Sequence, residues 1–435
     1  MPKQTNLIVR PPSFLYRKTK SKSVQLHAEH VPLAAIAARY GTPAYIYSTQ
    51  TAQFRFKALD QAFDRVPHTL CYSVKANSNL SLLRLLHKMG SGFDVVSGGE
   101  LERVAQVGRR ALQNTVFSGV GKTADEMDAA LRAGILMFNL ESESEMRLLA
   151  ERAHRVKKKA PVAFRVNPDV VAETHPYIST GLREHKFGVP MADALRLYSA
   201  AAEQCWLEVR GISVHIGSQI TSVQPFGEAM ARVAELAREL LNRGHAIRYI
   251  DSGGGLGICY GNGQGVEQEL SVTAAAYAQA LIGPLRGLDV HLLLEPGRSI
   301  VGPAGVLLTR VLYLKKNGEK RFAVVDAAMN DLLRPSLYNA YHEIVPVERR
   351  DGTGTAKVDI VGPICETGDF FARDREMPSL EEGDLLAILD AGAYGMSLAS
   401  NYNSRPRPVE LLVQGKKVKV VRKRESIKGL IAYEK

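Results

Sequence analysis

The sequence predicts an α/β protein in which a (β/α)8 barrel is followed by a C-terminal β domain that also takes up the N-terminal segment. Three observations carry this. Between about residues 42 and 300 one theme recurs, a short apolar run and then a longer amphipathic stretch, and eight such runs fit in about 250 residues. After about residue 300 strand-like runs follow one another directly, punctuated by Gly and Pro. The first 40 residues hold a strand candidate, Val24–His27, and a short helix candidate, Pro32–Tyr40, ahead of the first barrel unit. The boundaries expected are 1–41 for the N-terminal segment, 42–301 for the barrel and 302–435 for the β domain.

The barrel strands are read as Leu70–Val74, Phe93–Val96, Thr115–Ser118, Ile135–Asn139, Val162–Val166, Gly211–Ile216, Ile247–Asp251 and Val290–Leu294. Each is nearly continuous in apolar character, as strands covered on both faces must be. Helical spacing follows them, for example Leu82-Leu83-x-Leu85-Leu86 and Met230-x-x-Val233-x-x-Leu236. Ser142-Glu143-Ser144-Glu145 reads as a capping box opening the helix after the fourth strand. The β domain is read as Gly305–Leu314, Arg321–Asp326, Val358–Val361, Leu385–Leu389, Val409–Val413 and Lys417–Val421.

Composition narrows the class. A chain of 435 residues with 45% hydrophobic content can bury a sizeable core. No apolar run reaches the length of a membrane span, and Met1-Pro2-Lys3-Gln4-Thr5-Asn6 has no signal-peptide core, so a cytoplasmic protein is expected. Cys71, Cys205, Cys259 and Cys365 are scattered, without the spacing of a metal site or a disulfide framework. The net charge of +11 gathers in the first 22 residues and in Lys416–Arg424, without the interleaved aromatics of a nucleic-acid surface. A solvated basic edge strand accounts for the second cluster, and no nucleic-acid partner is expected.

Barrel enzymes carry their reactive groups where strands end, at the C-terminal face. Read in order, those ends hold Lys75, Ser97-Gly98-Gly99-Glu100, Arg165 and Asn167, His215-Ile216-Gly217-Ser218-Gln219, Asp251-Ser252-Gly253-Gly254-Gly255 and Glu295-Pro296-Gly297-Arg298. A lysine closing an apolar strand has little packing reason to be there, and a partly desolvated amine condenses with aldehydes. The Gly253–Gly255 loop after strand seven, with Gly297, Arg298 and Ser218, has the position and chemistry of a phosphate cradle. A phosphate site beside a carbonyl-reactive lysine points to pyridoxal 5'-phosphate. Glu295 then suits the ring nitrogen and His215 the ring face.

Taken together, Tyr72-Ser73-Val74-Lys75-Ala76-Asn77, His215-Ile216-Gly217-Ser218-Gln219, Gly253-Gly254-Gly255 and Glu295-Pro296-Gly297-Arg298 resemble the fold-type III, alanine-racemase-like pyridoxal phosphate enzymes. More narrowly, the chain resembles the family of diaminopimelate and ornithine/arginine decarboxylases, from about Val24 to its last strands. The segment Asn330-Asp331-Leu332-Leu333-Arg334-Pro335-Ser336-Leu337-Tyr338 is similar to one that supplies a substrate-binding arginine and tyrosine in the diaminopimelate enzymes. Cys365-Glu366-Thr367-Gly368-Asp369 resembles the family's Cys-Glu-Ser-Gly-Asp motif with threonine for serine, and ornithine decarboxylases carry aspartate where Glu366 stands. Ala393-Tyr394-Gly395-Met396-Ser397 resembles the segment whose tyrosine touches cofactor and substrate.

The resemblance implies decarboxylation of meso-2,6-diaminopimelate to L-lysine and CO2, the last step of lysine biosynthesis. Lys75 and Cys365 are implied as catalytic residues. His215, Ser218, Gly253, Gly254, Gly255, Glu295, Gly297, Arg298 and Tyr394 are implied, with Lys75, at the cofactor. Arg298, Arg334, Tyr338, Glu366 and Tyr394 are implied at the substrate. No metal is expected. It further implies a homodimer whose subunits share active sites, because the Cys-Glu motif completes the neighbour's site. Three alternatives stand beside this reading. Alanine racemase shares the fold but places an arginine at the ring nitrogen, against Glu295. A basic-amino-acid decarboxylase would make little use of two arginines near a substrate without a distal carboxylate. A non-catalytic carrier of the cofactor resembles the barrel alone.

Overall fold

The computed structural model describes residues 13–18, 23–170, 186–260, 270–350 and 354–434. The chain divides into two compact units. One comprises residues 56–257 and 268–299, and the other residues 1–55, 258–267 and 300–435.

The first unit is a closed barrel of eight parallel strands. In chain order these are His68–Ser73, Gly92–Val95, Thr115–Phe117, Met137–Leu140, Ala160–Asn167, Leu207–Val214, Tyr249–Asp251 and His291–Leu294. The eighth pairs with the first, Leu292 opposite His68, and closes the ring. A two-residue strand, Val189–Pro190, adds to the edge of the fifth. All eight sequence-predicted strands are present, shifted by a few residues at their ends. Cys71, Val116, Met137, Ala163 and Leu293 pack together as one buried cluster.

Helix starts are set by local chemistry. Ser142 caps the helix Glu143–Val156 by accepting from the Glu145 amide at 3.1 Å. The reciprocal half of the expected box is missing: the Glu145 carboxylate instead accepts from the Glu141 amide and from Lys122 Nζ, at 2.7 and 2.6 Å. An ammonium is the stronger donor, so it takes the carboxylate. The full capping box occurs at Thr123 and Glu126, opening Ala124–Ala133.

The second unit is built from β-sheets. One sheet of nine strands runs Phe370–Pro378, Thr355–Val361, Lys320–Val325, Gly305–Asn317, Ala44–Ser48, Val409–Gln414 and Lys417–Arg422, with Leu385–Ile388 branching from Gly305–Asn317 and Ile344–Pro346 pairing with Leu385–Ile388. A smaller sheet joins Phe14–Lys18, Val24–Ala28, Val31–Pro32 and Glu348–Arg349. The N-terminal segment does join the C-terminal strands: Phe14, Leu26, Leu33 and Ile36 share one core with Val306, Leu308, Leu389 and Leu411.

The expected boundary at residue 41 shifts to 55. Residues 42–55, assigned to the barrel by the sequence boundary, hold the strand Ala44–Ser48, which pairs antiparallel with Gly305–Leu308 and parallel with Val409–Val413. Part of the basic N-terminal stretch is the strand Phe14–Lys18, while residues 1–12 and 19–22 lie outside the described residues. No helix among the described residues is long and apolar enough to cross a membrane.

Asp331 gives this unit a pH signature. It is 1% exposed, accepts from the Ala328 amide at 2.9 Å, and burial pushes its carboxyl up to about 7. The folded state therefore holds this proton more tightly than the unfolded chain, whose aspartates titrate near about 4. The resulting stability is complete below about pH 4 and is lost as pH rises through about 7. Asp331→Asn should accordingly gain roughly 2–3 kcal/mol on the wild type between pH 5 and pH 8. Thermal unfolding of both proteins across that range checks this, and parallel curves would contradict it.

Candidate active site

The barrel's C-terminal rim assembles from the strand ends upward. Lys75 sits in a 3-10 turn, Val74–Ala76, directly after the first strand. Its Nζ lies 2.6 Å from Asp94 Oδ2, with Lys75 34% exposed and the aspartate side chain fully buried. Asp94 comes from the second strand and was not foreseen, although a lone acid inside Gly92–Val95 was a visible signal. Ser73 Oγ donates within 2.9 Å of the same Asp94 oxygen and lies 3.0 Å from the Glu295 carbonyl. The lysine's ion pair and the end of the eighth strand are thus tied through one hydroxyl.

Glu295 is 5% exposed, and its Oε1 accepts from Ser118 Oγ at 3.1 Å. Its carboxyl also bonds to that of Asp251. Burial first, then the charges of Asp251 and Asp94, drive the Glu295 pKa well above the carboxylate range. Asp251 is pushed up to about 6 by burial, against the pull of the Gly253 amide and of Asn139. A buried carboxyl of this kind is poised for a cationic partner.

His215 Nδ1 accepts from the Gly254 amide at 3.1 Å, which leaves the ring proton on Nε2. Loss of solvent and the charges of Arg165 and Lys75 push its pKa well down, so the ring is neutral. Arg165 is itself held by Glu141 at 3.0 Å. Arg298, 7% exposed, donates from Nη2 to Ser218 Oγ at 3.1 Å.

The glycine loop is made for close approach. A Cβ on Gly254 would stand 2.1 Å from the Glu295 carbonyl oxygen, and one on Gly255, at φ +107°, 2.3 Å from that of Gly217. The amides of Gly253 and Gly254 turn inward to Asp251 Oδ1 and His215 Nδ1. Gly297 packs against the lysine turn, where an added Cβ would stand 2.9 Å from that of Ala76.

This donor set fits pyridoxal phosphate. An amine can hold its aldehyde, a guanidinium and a hydroxyl can hold its phosphate, a neutral imidazole can lie on its ring, and a buried carboxyl can meet its ring nitrogen.

The remaining sequence-predicted residues belong to the β unit. Arg334 opens the short helix Arg334–Tyr338, which also carries Tyr338. Arg334 is 5% exposed, lies 2.7 Å from His342 Nε2, and stacks 4.6 Å over the Tyr260 ring. Cys365 and Glu366 are exposed on a turn pinned by Asp369, whose oxygens accept from the Met329 and Ile364 amides, each at 2.7 Å. Ser336 Oγ donates to the Gly368 carbonyl at 2.6 Å and ties that turn to the Arg334 helix. Tyr394 takes a left-handed backbone, φ +56°, before Gly395, where an added Cβ would meet the Tyr45 hydroxyl at 2.6 Å. His342, Tyr260 and Tyr402, which hydrogen-bonds Glu366, escaped the sequence reading because no motif marks them.

Residues 50–302 match the family described as "Pyridoxal-dependent decarboxylase, pyridoxal binding domain". The chain is 49% identical over 413 residues to the diaminopimelate decarboxylase of Pseudomonas aeruginosa, covering 95% of this chain and 97% of that one. Among solved structures it resembles diaminopimelate decarboxylase from Helicobacter pylori complexed with L-lysine, at a TM-score of 0.87 and 42% identity, covering 92% of this chain and 99% of the other. It also resembles the M. jannaschii enzyme in co-complex with L-lysine, at a TM-score of 0.90 and 36% identity, covering 97% and 98%. Fold, rim chemistry and near-full-length likeness agree: the chain belongs to the pyridoxal-dependent decarboxylases, in the family of the diaminopimelate decarboxylases.

Proposed function

We propose that this chain decarboxylates meso-2,6-diaminopimelate to L-lysine and CO2 with pyridoxal phosphate, as a cytoplasmic homodimer with shared active sites. The observation that carries the reading is the single rim on which Ser73 ties the Lys75–Asp94 ion pair to the backbone carbonyl of Glu295, whose carboxyl is buried. Relatives alike over nearly the whole chain are diaminopimelate decarboxylases, which supports the substrate.

When bound, the cofactor supplies an electron sink for the pair left behind by departing CO2. Lys75 would hold its aldehyde, and Asp94, 2.6 Å from the lysine amine, would aim that amine. Glu295 would hold a proton at the ring nitrogen, and neutral His215 would face the ring without like-charge repulsion. The Arg298–Ser218 bond supports a phosphate role for both residues, with the Gly253–Gly255 and Gly297 turns shaping the cradle. Tyr394 would meet both cofactor and substrate. Cys365 returns a proton to Cα as general acid.

The substrate's far end is an amino acid group and needs both signs of charge. Arg334 and Tyr338, with Arg298, suit its carboxylate, and Glu366 suits its ammonium. Exposure of Cys365 and Glu366 within one chain supports their completing the partner subunit's site. Each charge-assisted bond to the distal carboxylate contributes about 1.5–3 kcal/mol. Substrates lacking it leave guanidinium charge uncompensated, so discrimination against ornithine should reach roughly 10⁴-fold.

Arg334→Met tests this apart from cofactor binding. It should lower kcat/KM for meso-diaminopimelate at least about tenfold while the absorbance of bound cofactor stays intact. Wild-type efficiency in that variant would remove Arg334 from the substrate site.

A further inference from the structure

Behind Glu295 lies a polar network that the reaction as described does not use. Asn139, at the end of the fourth barrel strand, spends both amide hydrogens inside it. Its Nδ2 donates to Ser118 Oγ at 3.0 Å and to Asp251 Oδ2 at 2.7 Å. Asp251 Oδ1 accepts from the Gly253 amide at 3.0 Å, so both oxygens of Asp251 receive a donor. Among the described residues, Glu295 receives one side-chain donor, Ser118 Oγ, at 3.1 Å. Asn139, Ser118, Asp251 and Glu295 are all buried.

The network is anchored from outside. Lys122 Nζ donates to the Asn139 carbonyl at 2.7 Å, the Gly119 carbonyl at 2.8 Å and Glu145 Oε1 at 2.6 Å, with its side chain fully buried. A buried ammonium cannot leave three acceptors without large cost, so it fixes Asn139 against the loop after the third strand.

We propose that Asp251, held as an anion by Asn139 and the Gly253 amide, is a positioning residue that keeps on Glu295 the proton which Glu295 delivers to the pyridine nitrogen of the cofactor. The inference rests on the reading of Glu295 as the ring nitrogen's partner. Two hydrogen-bonded carboxyls in a dry site cannot both be ionised until a cation, here the protonated ring nitrogen, compensates them. Donors stabilise the charged form, and Asp251 has two where Glu295 has one, so the shared proton resides on Glu295 and points at Asp251. The unequal displacements agree: burial raises Asp251 only to about 6, while Glu295 is driven well above the carboxylate range. The other charges facing Glu295 are Asp94, which reinforces this, and Lys75, which opposes it.

With the ring nitrogen at Glu295, the O–H bond breaks and an N–H bond forms on the nitrogen lone pair. Glu295 becomes the carboxylate, Asp251 remains the anion, and no proton is drawn from solvent. The fixed charge of Asp251 then raises the proton affinity of the nitrogen through Glu295.

Two measurements test this. Reconstitution with pyridoxal phosphate labelled with 15N in the ring lets NMR read the protonation of that nitrogen directly. Asp251→Asn should lower its titration midpoint by at least about one pH unit. Asn139→Ala should lower it by less, and Ser118→Ala, which removes a donor from Glu295, should not lower it. A merely structural role would reduce cofactor occupancy with the midpoint unmoved. The infrared difference between loaded and unloaded wild type requires no variant, and it should show one protonated carboxyl lost on loading, absent in Glu295→Gln. An unmoved midpoint in Asp251→Asn, or no carboxyl lost in the wild type, overturns the inference. Should Asp251→Asn fail to fold, Asn139→Ala and the infrared difference decide it. A ring nitrogen still protonated in Glu295→Gln would instead overturn the underlying reading of Glu295.

Discussion

Replacing Lys75 with alanine should abolish turnover, by at least about a thousandfold, and with it the covalent capture of cofactor by borohydride. The expectation comes from geometry as well as from residue type. Lys75 is 34% exposed on a turn at the barrel rim, open enough to meet an aldehyde, while buried Asp94 holds its amine at 2.6 Å. Charge alone does not replace it, because arginine keeps the ion pair but offers no nucleophilic amine. Lys75→Arg should therefore fail like Lys75→Ala while retaining more of the fold's stability. Borohydride reduction of the wild type followed by peptide mapping checks the assignment, with the reduced adduct on Lys75. An adduct on another lysine would remove Lys75 from its role.

Mixing two inactive proteins should restore activity. Cys365 is exposed on the β unit, and Lys75 stands on the barrel. In a symmetric dimer with shared sites, one heterodimer site takes both lesions and the other takes neither. With random assortment, Lys75→Ala and Cys365→Ala subunits should together recover activity in about a quarter of all sites. The activity of the mixture, read after subunit exchange is confirmed with tagged subunits, checks this. Mixtures that exchange but stay inactive would place both groups in one chain's own site.

The sequence showed most of the rim because polar residues at the ends of apolar strands are conspicuous. Lys75, His215, Glu295 and Arg298 each interrupt or follow a run that has no packing use for charge. Asp94, Ser118 and Asn139 were harder to see. They lie in or at the end of short strands whose neighbours are apolar, and only the closed barrel brings Asn139 within 2.7 Å of Asp251, 112 residues later. Ala44–Ser48 shows the same limit for the fold. Its five buried residues read like any barrel strand, and its place is set by partners more than 250 residues away. The strand Phe370–Pro378 was missed for the opposite reason, since Arg373-Asp374-Arg375-Glu376 hides the alternation. In the glycine loop the residue type was informative and the mechanism was not. Two of its amides serve Asp251 and His215, so the glycines are required first for the approach of neighbouring backbone.

Side-by-side release of CO2 from meso-diaminopimelate, ornithine, arginine and alanine by the purified, cofactor-loaded protein tests the account most directly. Rapid release from meso-diaminopimelate with L-lysine as the product is expected, with efficiency on ornithine lower by roughly 10⁴-fold. Equal decarboxylation of ornithine, or no CO2 from diaminopimelate, would contradict it.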